Sequence, residues 1–520
     1  MSITTESDLY SKSIHDRKYI QRRPWLVLYD IINWYPSSLS ESEKKMLKKI
    51  DRTILPWTML TFFIKYLDQS NLTNAYVTGM EEDLGFVGNQ LNWVTTWFFI
   101  GYVIAQVPLL LLLSRPKITR YGLPTLEILW GLLTLLQSQA KSPYHLYVIR
   151  FFMGICEAPV FGATHFVLGS WYTKSELFKR AGLWFTGNSL GSLFAGVLQT
   201  AAYSNLNGKD GRAGWAWGFI IDAIISLPVG FAGYWIFPGL PDGPRSKLIL
   251  SESDINTALE RKLTAPPVRI TPTVIYKGLK RYEWWLCISI YVFMIQMSIP
   301  ISYMALWLKS VPNGVTFSES AINNYPSGIY AITALSSWIG TSLATIYHPW
   351  SIFTVCSIFC SFGYIVMIVW DVSNTLKFVA WYSFGFTGCL SPLLYSWINV
   401  KFSQNREFRA FIIGSMMSIG YSTYIWTPLL VFQTGGNAPR WKIGWPFAFG
   451  CFIMLWALMM VFYYLTSKKT SEEAEISQDD SSSYQEDLET PELSEDFSQS
   501  KKNVAEIKVV KLHSNSISNE

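Results

Sequence analysis

The chain has 520 residues, of which 50% are hydrophobic, 16% aromatic and only 15% charged, whereas a soluble protein carries about 25% charge. Its net charge of +5 comes without a Lys/Arg stripe interleaved with aromatics, which excludes a nucleic-acid surface. No P-loop, and no HExxH or GxSxG in a suitable context, is present, so ATP-driven pumping and intramembrane hydrolysis lose their signatures, and neither an enzyme nor a cofactor is expected.

Taken in chain order, residues 1–53 are polar and mixed in charge; no cleavable leader is expected, and the first span is expected to start insertion itself. With spans of about 20 apolar residues as the template, the pattern predicts an all-α membrane protein with 12 transmembrane helices in two pseudo-symmetric halves of six. In residues 54–237 the spans begin near Ile54, Asn92, Leu123, Tyr147, Ala181 and Trp217. In residues 284–466 they begin near Trp284, Tyr325, Trp350, Leu376, Phe411 and Trp445. Between the halves, residues 238–283 form a polar, proline-containing cytoplasmic connection with an amphipathic patch around Glu252 to Leu263. Residues 467–520 begin with a run of Ser, Asp and Glu that predicts a disordered acidic tail, read either as a target for phosphorylation, ubiquitination or sorting or as a solvated end.

Loop charge orients these spans, because cytoplasmic loops are enriched in Lys and Arg. Arg115/Lys117/Arg120, Lys174/Lys179/Arg180, the central connection, Lys401/Arg406/Arg409 and Lys468/Lys469 fall on one side. The acidic Glu81/Glu82/Asp83 loop falls on the other, with Arg440 and Lys442 against the trend. Both termini are then expected to be cytoplasmic.

Ionisable residues inside these runs are the candidates for function. In the first span, Lys65 and Asp68 stand one turn apart near its outer end. The functional reading makes Asp68 a protonatable coupling group and Lys65 its tuner or an anion contact; the structural reading is an ion pair that neutralises itself at a helix end. In the fourth, Arg150, Glu157 and His165 share the run from Tyr147 to Trp171. An unpaired charge at a span's centre costs about 2.5–3.5 kcal/mol on insertion scales, so something must compensate it. A separation of seven residues is about two helical turns, which turns Arg150 and Glu157 toward one interior. A proton could visit Glu157 or His165 while Arg150 holds a carboxylate; the alternatives are an architectural salt bridge for Arg150 and a core histidine bonded to a carbonyl for His165. Glu127 and Asp222 read more readily as structural carboxylates, and Gly187, Gly191 and Gly196 as a face for close helix packing. In the second half, Asn323, Asn324 and Tyr325 are either substrate hydrogen-bonding groups or, for the asparagines, helix caps. All six cysteines lie in apolar runs and read as small hydrophobes, with no disulfide framework or metal set.

The segments KYLDQSNLTNAYVTGMEEDLG, RFFMGICEAPVFGATHFVLGSWY and FPGLPD resemble the fungal allantoate-permease-like anion:cation symporters of the major facilitator superfamily. THFVLGSWY and NNYPSG look most like the vitamin-carrying branch, the pantothenate and biotin transporters. The likeness runs from roughly Leu55 to Leu465. It implies proton-coupled symport of a small organic anion by alternating access, with Asp68, Arg150 and Glu157 as the proton and anion pathway and Glu157 as the leading proton carrier. Many relatives have Arg after the first-helix Asp; here it is Gln69, which leaves Arg150, together with Lys65, as the candidate contact for a monocarboxylate. The loop LLSRPKITRYG likewise keeps only the basic residues of a fuller Gly/Asp/Arg motif. The resemblance implies pantothenate or biotin as substrate, with allantoate, nicotinate, a sulfonate or a small peptide as alternatives and a non-transporting nutrient sensor as the rival class. The expected setting is a monomer in the plasma membrane, with endoplasmic reticulum or vacuole as other sites, and its partners are the anion, protons and membrane lipid.

Overall fold

The computed structural model describes residues 34–35, 39–113, 115–243, 249–261, 272–310, 317–344, 347–402, 406–435 and 438–465. The acidic tail and most of the amino-terminal segment lie outside the described residues. Twelve helical crossings follow one another. In the first half they are α1 (Glu41–Ala75), α2 (Gln90–Leu113), α3 (Pro116–Gln137), α4 (Pro143–Trp171), α5 (Lys174–Leu206) and α6 (Gly214–Ile236). In the second they are α7 (Tyr282–Lys309), α8 (Ser327–Leu343), α9 (Pro349–Val369), α10 (Asn374–Ser383 continued by Leu390–Lys401), α11 (Arg406–Ser422 continued by Thr427–Leu430) and α12 (Gly444–Leu465). The chain divides into a unit ending at Met459 and another beginning at Met460, of which the last turns of α12 are described.

Six crossings, α2, α4, α6, α7, α9 and α12, are long and apolar enough by themselves to cross a membrane. The others depart from the simple template. Helix α8 has only 17 residues, and α10 and α11 are interrupted by 3-10 turns at Phe384–Cys389 and Thr423–Ile425. Helix α1 has 35 residues, a length of about 52 Å against a hydrocarbon core of about 30 Å. It starts at Glu41 instead of near Ile54 because Ser40 and Glu43 form a capping box that nucleates it in the polar segment.

The run through Glu157 and His165 is not one continuous helix. Its first segment ends at Glu157 and the second begins at Val160. Pro159 has no N–H to continue the ladder, and its ring clashes with the preceding turn.

Within the first half α1 packs along α5, α2 along α4 and α3 along α6; in the second, α8 packs on α10 and α7 on α11. Contacts of α5 with α8 and of α2 with α11 join the halves. The small-residue face of α5 packs as its spacing predicts. A Cβ at Gly191 would lie 2.2 Å from the Phe63 carbonyl oxygen of α1, and one at Gly196 would lie 2.3 Å from that of Asn323 across the boundary between halves.

The end of the first half that carries the basic loops is tied together by charge. Arg180 donates to both carboxylate oxygens of Asp51, at 2.6 and 2.7 Å, and the hydroxyls of Tyr35 and Tyr172 donate to the same group, each at 2.7 Å. The predicted amphipathic patch is a nine-residue helix, Glu252–Glu260, with its own Ser251 capping box. Lys49 pairs with Asp254, and Arg261 pairs with Glu43 at 3.0 Å and with Glu176, which docks this helix on α1 and α5.

Candidate functional site

The interior of the first half gathers six ionisable side chains at most 2% exposed: Lys65, Asp68, Glu127, Arg150, Glu157 and Asp222. Helical repeats bring them together. On α1, Thr61, Lys65 and Asp68 recur at intervals of four and three; on α3, Glu127, Thr134 and Gln137 at seven and three; on α4, Arg150 and Glu157 at seven. Each set therefore lines one face of its helix.

Lys65 and Asp68 do not neutralise each other as their spacing suggested. The Lys65 ammonium donates to the Tyr102 hydroxyl at 3.1 Å and to the backbone carbonyl of Glu157 at 3.4 Å, and it stands 4.7 Å from the Tyr102 ring centroid. Asp68 instead accepts from Thr134 Oγ1 at 2.6 Å. Arg150 donates through Nε to Gln137 Oε1 at 2.8 Å and through Nη2 to the backbone carbonyl of Asp68 at 3.4 Å. Both fixed contacts are with neutral oxygens.

Glu157 accepts from Gln69 Nε2 at 2.9 Å through one carboxylate oxygen, while its Oε1 is buried without a hydrogen-bond partner. Gln69 thus holds the carboxylate without supplying a second cation. Asp222 accepts from Asn71 Nδ2 at 3.3 Å, and its carboxyl faces that of Asp68. Glu127 accepts from Thr61 at 2.8 Å. Lys65 and the Glu157 carboxylate, beside one another and incompletely satisfied, are groups able to exchange partners with an arriving anion and proton.

Beyond Lys65, aromatic groups of both halves meet. Tyr102 packs against Tyr421 of α11 at 5.1 Å between ring centroids, Phe99 stacks on Tyr424 at 4.5 Å, and Phe161 meets Tyr395 of α10 at 5.8 Å. His165 is on the second segment of α4, past the break, between Phe161 and Trp184, and its Nδ1 is buried without a partner.

Asn324 and Tyr325 are not with this cluster. Asn324 accepts from Thr200 of α5 at 3.2 Å, and Tyr325, 41% exposed, packs on Phe317 and Phe378. Neither asparagine caps the helix they share, because Ser318 is its N-cap and Asn323 donates to Glu319 O within it. These residues belong to a latch between the halves at the end carrying the acidic loop. There Lys309 bridges Glu81 and Glu82 at 2.7 and 2.8 Å. Asn92 of α2 donates to the carbonyls of Pro428 and Phe432, both at 3.1 Å, and accepts from Thr434 N at 3.1 Å and Thr434 Oγ1 at 2.6 Å.

The roles of Thr134, Gln137, Tyr102 and Asn92 had no signal in the sequence beyond a polar atom in an apolar run. For Gln137 a weak cue existed, since it continues the face that already holds Glu127 and Thr134.

The sequence model of the Major Facilitator Superfamily matches residues 58–428. The pantothenate transporter liz1 of Schizosaccharomyces pombe is 34% identical over 417 residues, 78% of this chain and 79% of that protein. The Vitamin H transporter of Saccharomyces cerevisiae is 28% identical over 471 residues, 87% of this chain and 78% of the relative. Among solved structures, a bacterial homologue of the human lysosomal transporter Spinster, inward-facing and unoccupied, matches with a TM-score of 0.55 at 15% identity, over 84% of this chain and 99% of its own, a likeness of fold.

Proposed function

The chain belongs to the Major Facilitator Superfamily and is a multi-pass membrane transporter; from that premise we propose that it is a proton-coupled symporter importing a small monocarboxylate, foremost pantothenate. The observation that carries this reading is the buried juxtaposition of the Lys65 ammonium with Glu157, whose Oε1 has no partner.

A carboxylate substrate approaching Lys65 would be repelled by ionised Glu157 and attracted once Glu157 carries a proton. Anion and proton then enter together, and the charge in the interior is the same loaded as empty. Lys65 suits the anion contact better than Arg150, because Arg150 is already fixed by Gln137 and the Asp68 carbonyl while Lys65 lies beside the aromatic groups of both halves.

With the acidic loop outside, in line with the basic-loop rule, the latch would close the outer side, as alternating access requires when the site faces inward. The plasma membrane is the proposed site, with the protein acting as a single chain. Similarity to the Vitamin H transporter supports biotin as the second candidate.

Uptake of labelled pantothenate and biotin in cells lacking their own carriers, at acidic and neutral pH, with and without a protonophore, tests this. Acid-stimulated, protonophore-sensitive uptake is expected. A Glu157→Gln variant should exchange labelled for unlabelled substrate across the membrane without accumulating it; accumulation against a gradient by that variant refutes the mechanism.

A further inference from the structure

Two groups of the proposed transport site, Lys65 and Glu157, have now been given roles, but Asp222 has none, and its surroundings are unusual. Its Oδ1 and the Oδ2 of Asp68 are both buried without a hydrogen-bond partner, although the two carboxyls face each other. Their other oxygens are engaged by Asn71 and Thr134. Two ionised carboxylates have only acceptors to offer one another, so the arrangement would leave two acceptors empty and two like charges in contact. One proton resolves both defects, because a protonated carboxyl donates to its ionised neighbour.

We propose that Asp68 and Asp222 share one resident proton, forming an acid pair that stays loaded through the transport cycle and leaves Glu157 as the carboxyl that loads and unloads. This deepens the symport reading above and rests on it for the functional half of the claim.

Charge counting points the same way. The buried set holds two cations, Lys65 and Arg150, against four carboxyls, Asp68, Glu127, Glu157 and Asp222, an excess of two negative charges if all were ionised. A proton on the pair removes one of them. The remaining charge of the pair faces Arg150, which lies against the Asp68 carbonyl.

The charged groups facing the pair are Glu127 on α3 and Arg150 and Glu157 on α4, while Lys65 on α1 faces Glu157. Both acids are 0% exposed. On the side of α3 and α6 the packing is tight, since a Cβ at Gly131 would fall 2.9 Å from Ser226 Oγ and 3.0 Å from Leu227.

The pair needs one acceptor and one donor, and that requirement makes a distinctive pattern of variants. In Asp222→Asn or Asp68→Asn, the new amide N–H takes the place of the shared proton. Each single variant is therefore expected to keep acid-stimulated uptake within about tenfold of the parent, the size of one exchanged hydrogen bond. The double variant D68N/D222N removes two of the three carboxyls that act on Arg150, leaving it only the exchangeable Glu157, and is expected to lose uptake by about a hundredfold or more.

The second readout needs no substrate. Infrared difference spectra of the purified full-length protein with 13C-labelled aspartate should show a protonated carboxyl stretch at neutral pH, unchanged by saturating pantothenate, and absent from either single variant. Absence of that band from the parent protein, or its loss when substrate binds, overturns the proposal, as does abolished coupling in a correctly folded D222N. If the protein transports neither vitamin while the band is present and resident, the acid pair stands and the symport reading falls.

Discussion

Asn92 offers the sharpest test of how the halves are held. Its side chain, 2% exposed, makes four hydrogen bonds of 3.1 Å or less across the boundary, two donated to Pro428 O and Phe432 O and two accepted from Thr434, besides a long one of 3.5 Å to the Tyr303 hydroxyl. With the latch open, all of these groups face water and keep their hydrogen bonds. Asn92→Ala therefore penalises the latched state selectively. At about 0.5–1.5 kcal/mol net for each bond, the four give about 2–6 kcal/mol, and even the lower limit shifts the ratio of latched to open molecules by roughly thirtyfold. The assay is a pair of spin labels at the exposed positions Val87 and Ile443, one on each half at that end. Pulsed dipolar spectroscopy in the parent protein should show a single short distance, and in N92A a predominant long component, with the far-UV spectrum unchanged. A distance distribution identical to the parent's would show that the latch does not decide the state, and the reasoning from its hydrogen bonds would be refuted.

Three further outcomes follow. Lys309→Ala removes the bridge to Glu81 and Glu82; these are partly exposed pairs worth about 0.2–1 kcal/mol each, so the same labels should report a smaller shift than N92A, one that added salt mimics in the parent. Lys65→Gln should raise the KM for pantothenate about tenfold or more while leaving surface expression intact, because the anion loses its cation and Gln can still bond Tyr102 and the Glu157 carbonyl; an unchanged KM would remove Lys65 from the anion site. Asp254→Asn should loosen the helix Glu252–Glu260, read as faster hydrogen exchange there. Burial pushes the Asp254 carboxyl upward, but hydrogen bonds from Lys49 and Ser251 outweigh it and hold the group below its usual range. A depressed folded-state value means that its contribution is fully present above the unfolded value of about 3.9 and is lost as pH falls through the folded one. The difference in protection between parent and D254N should thus be full at neutral pH and shrink only in acid below about 3.9.

The crossings were legible because a lipid-spanning helix must be apolar over its whole length, and that demand is written locally. Their limits were less so. The apolar count placed the start of α1 near Ile54, whereas Ser40 and Glu43 start the helix at Glu41, a signal found in capping chemistry. The apolar run of α4 hid a break at Pro159, since hydropathy does not register a missing N–H. The membership of the buried charged cluster, with Lys65, Asp68, Arg150 and Glu157, could be read because buried charge in a span is rare. Its wiring could not. Spacing of three residues suggested that Lys65 and Asp68 pair on their own helix; the neighbours on α2, α3 and α4 outbid that local contact. Asp222 read as a structural carboxylate because nothing in its own segment reveals that α6 lies against α1. Asn324 and Tyr325 were polar at a helix entry, a pattern equally suited to holding a substrate or another helix, and the structure puts them at the latch.

The break in α4 also has an electrical side. A helix of 15 residues, Pro143–Glu157, ends midway along the crossing Pro143–Trp171, and its aligned peptide dipoles leave about half a negative charge on the last carbonyls. Lys65, donating to the Glu157 carbonyl, sits at that negative pole and serves it as a counter-ion. In the proposed symport, an anion reaching Lys65 would meet a cation already half committed to the end of a helix. Its hold on the substrate is tempered accordingly, and when the anion departs, the dipole reclaims the ammonium and no bare charge is left in the dry interior, a useful property in a carrier that must let go on every cycle.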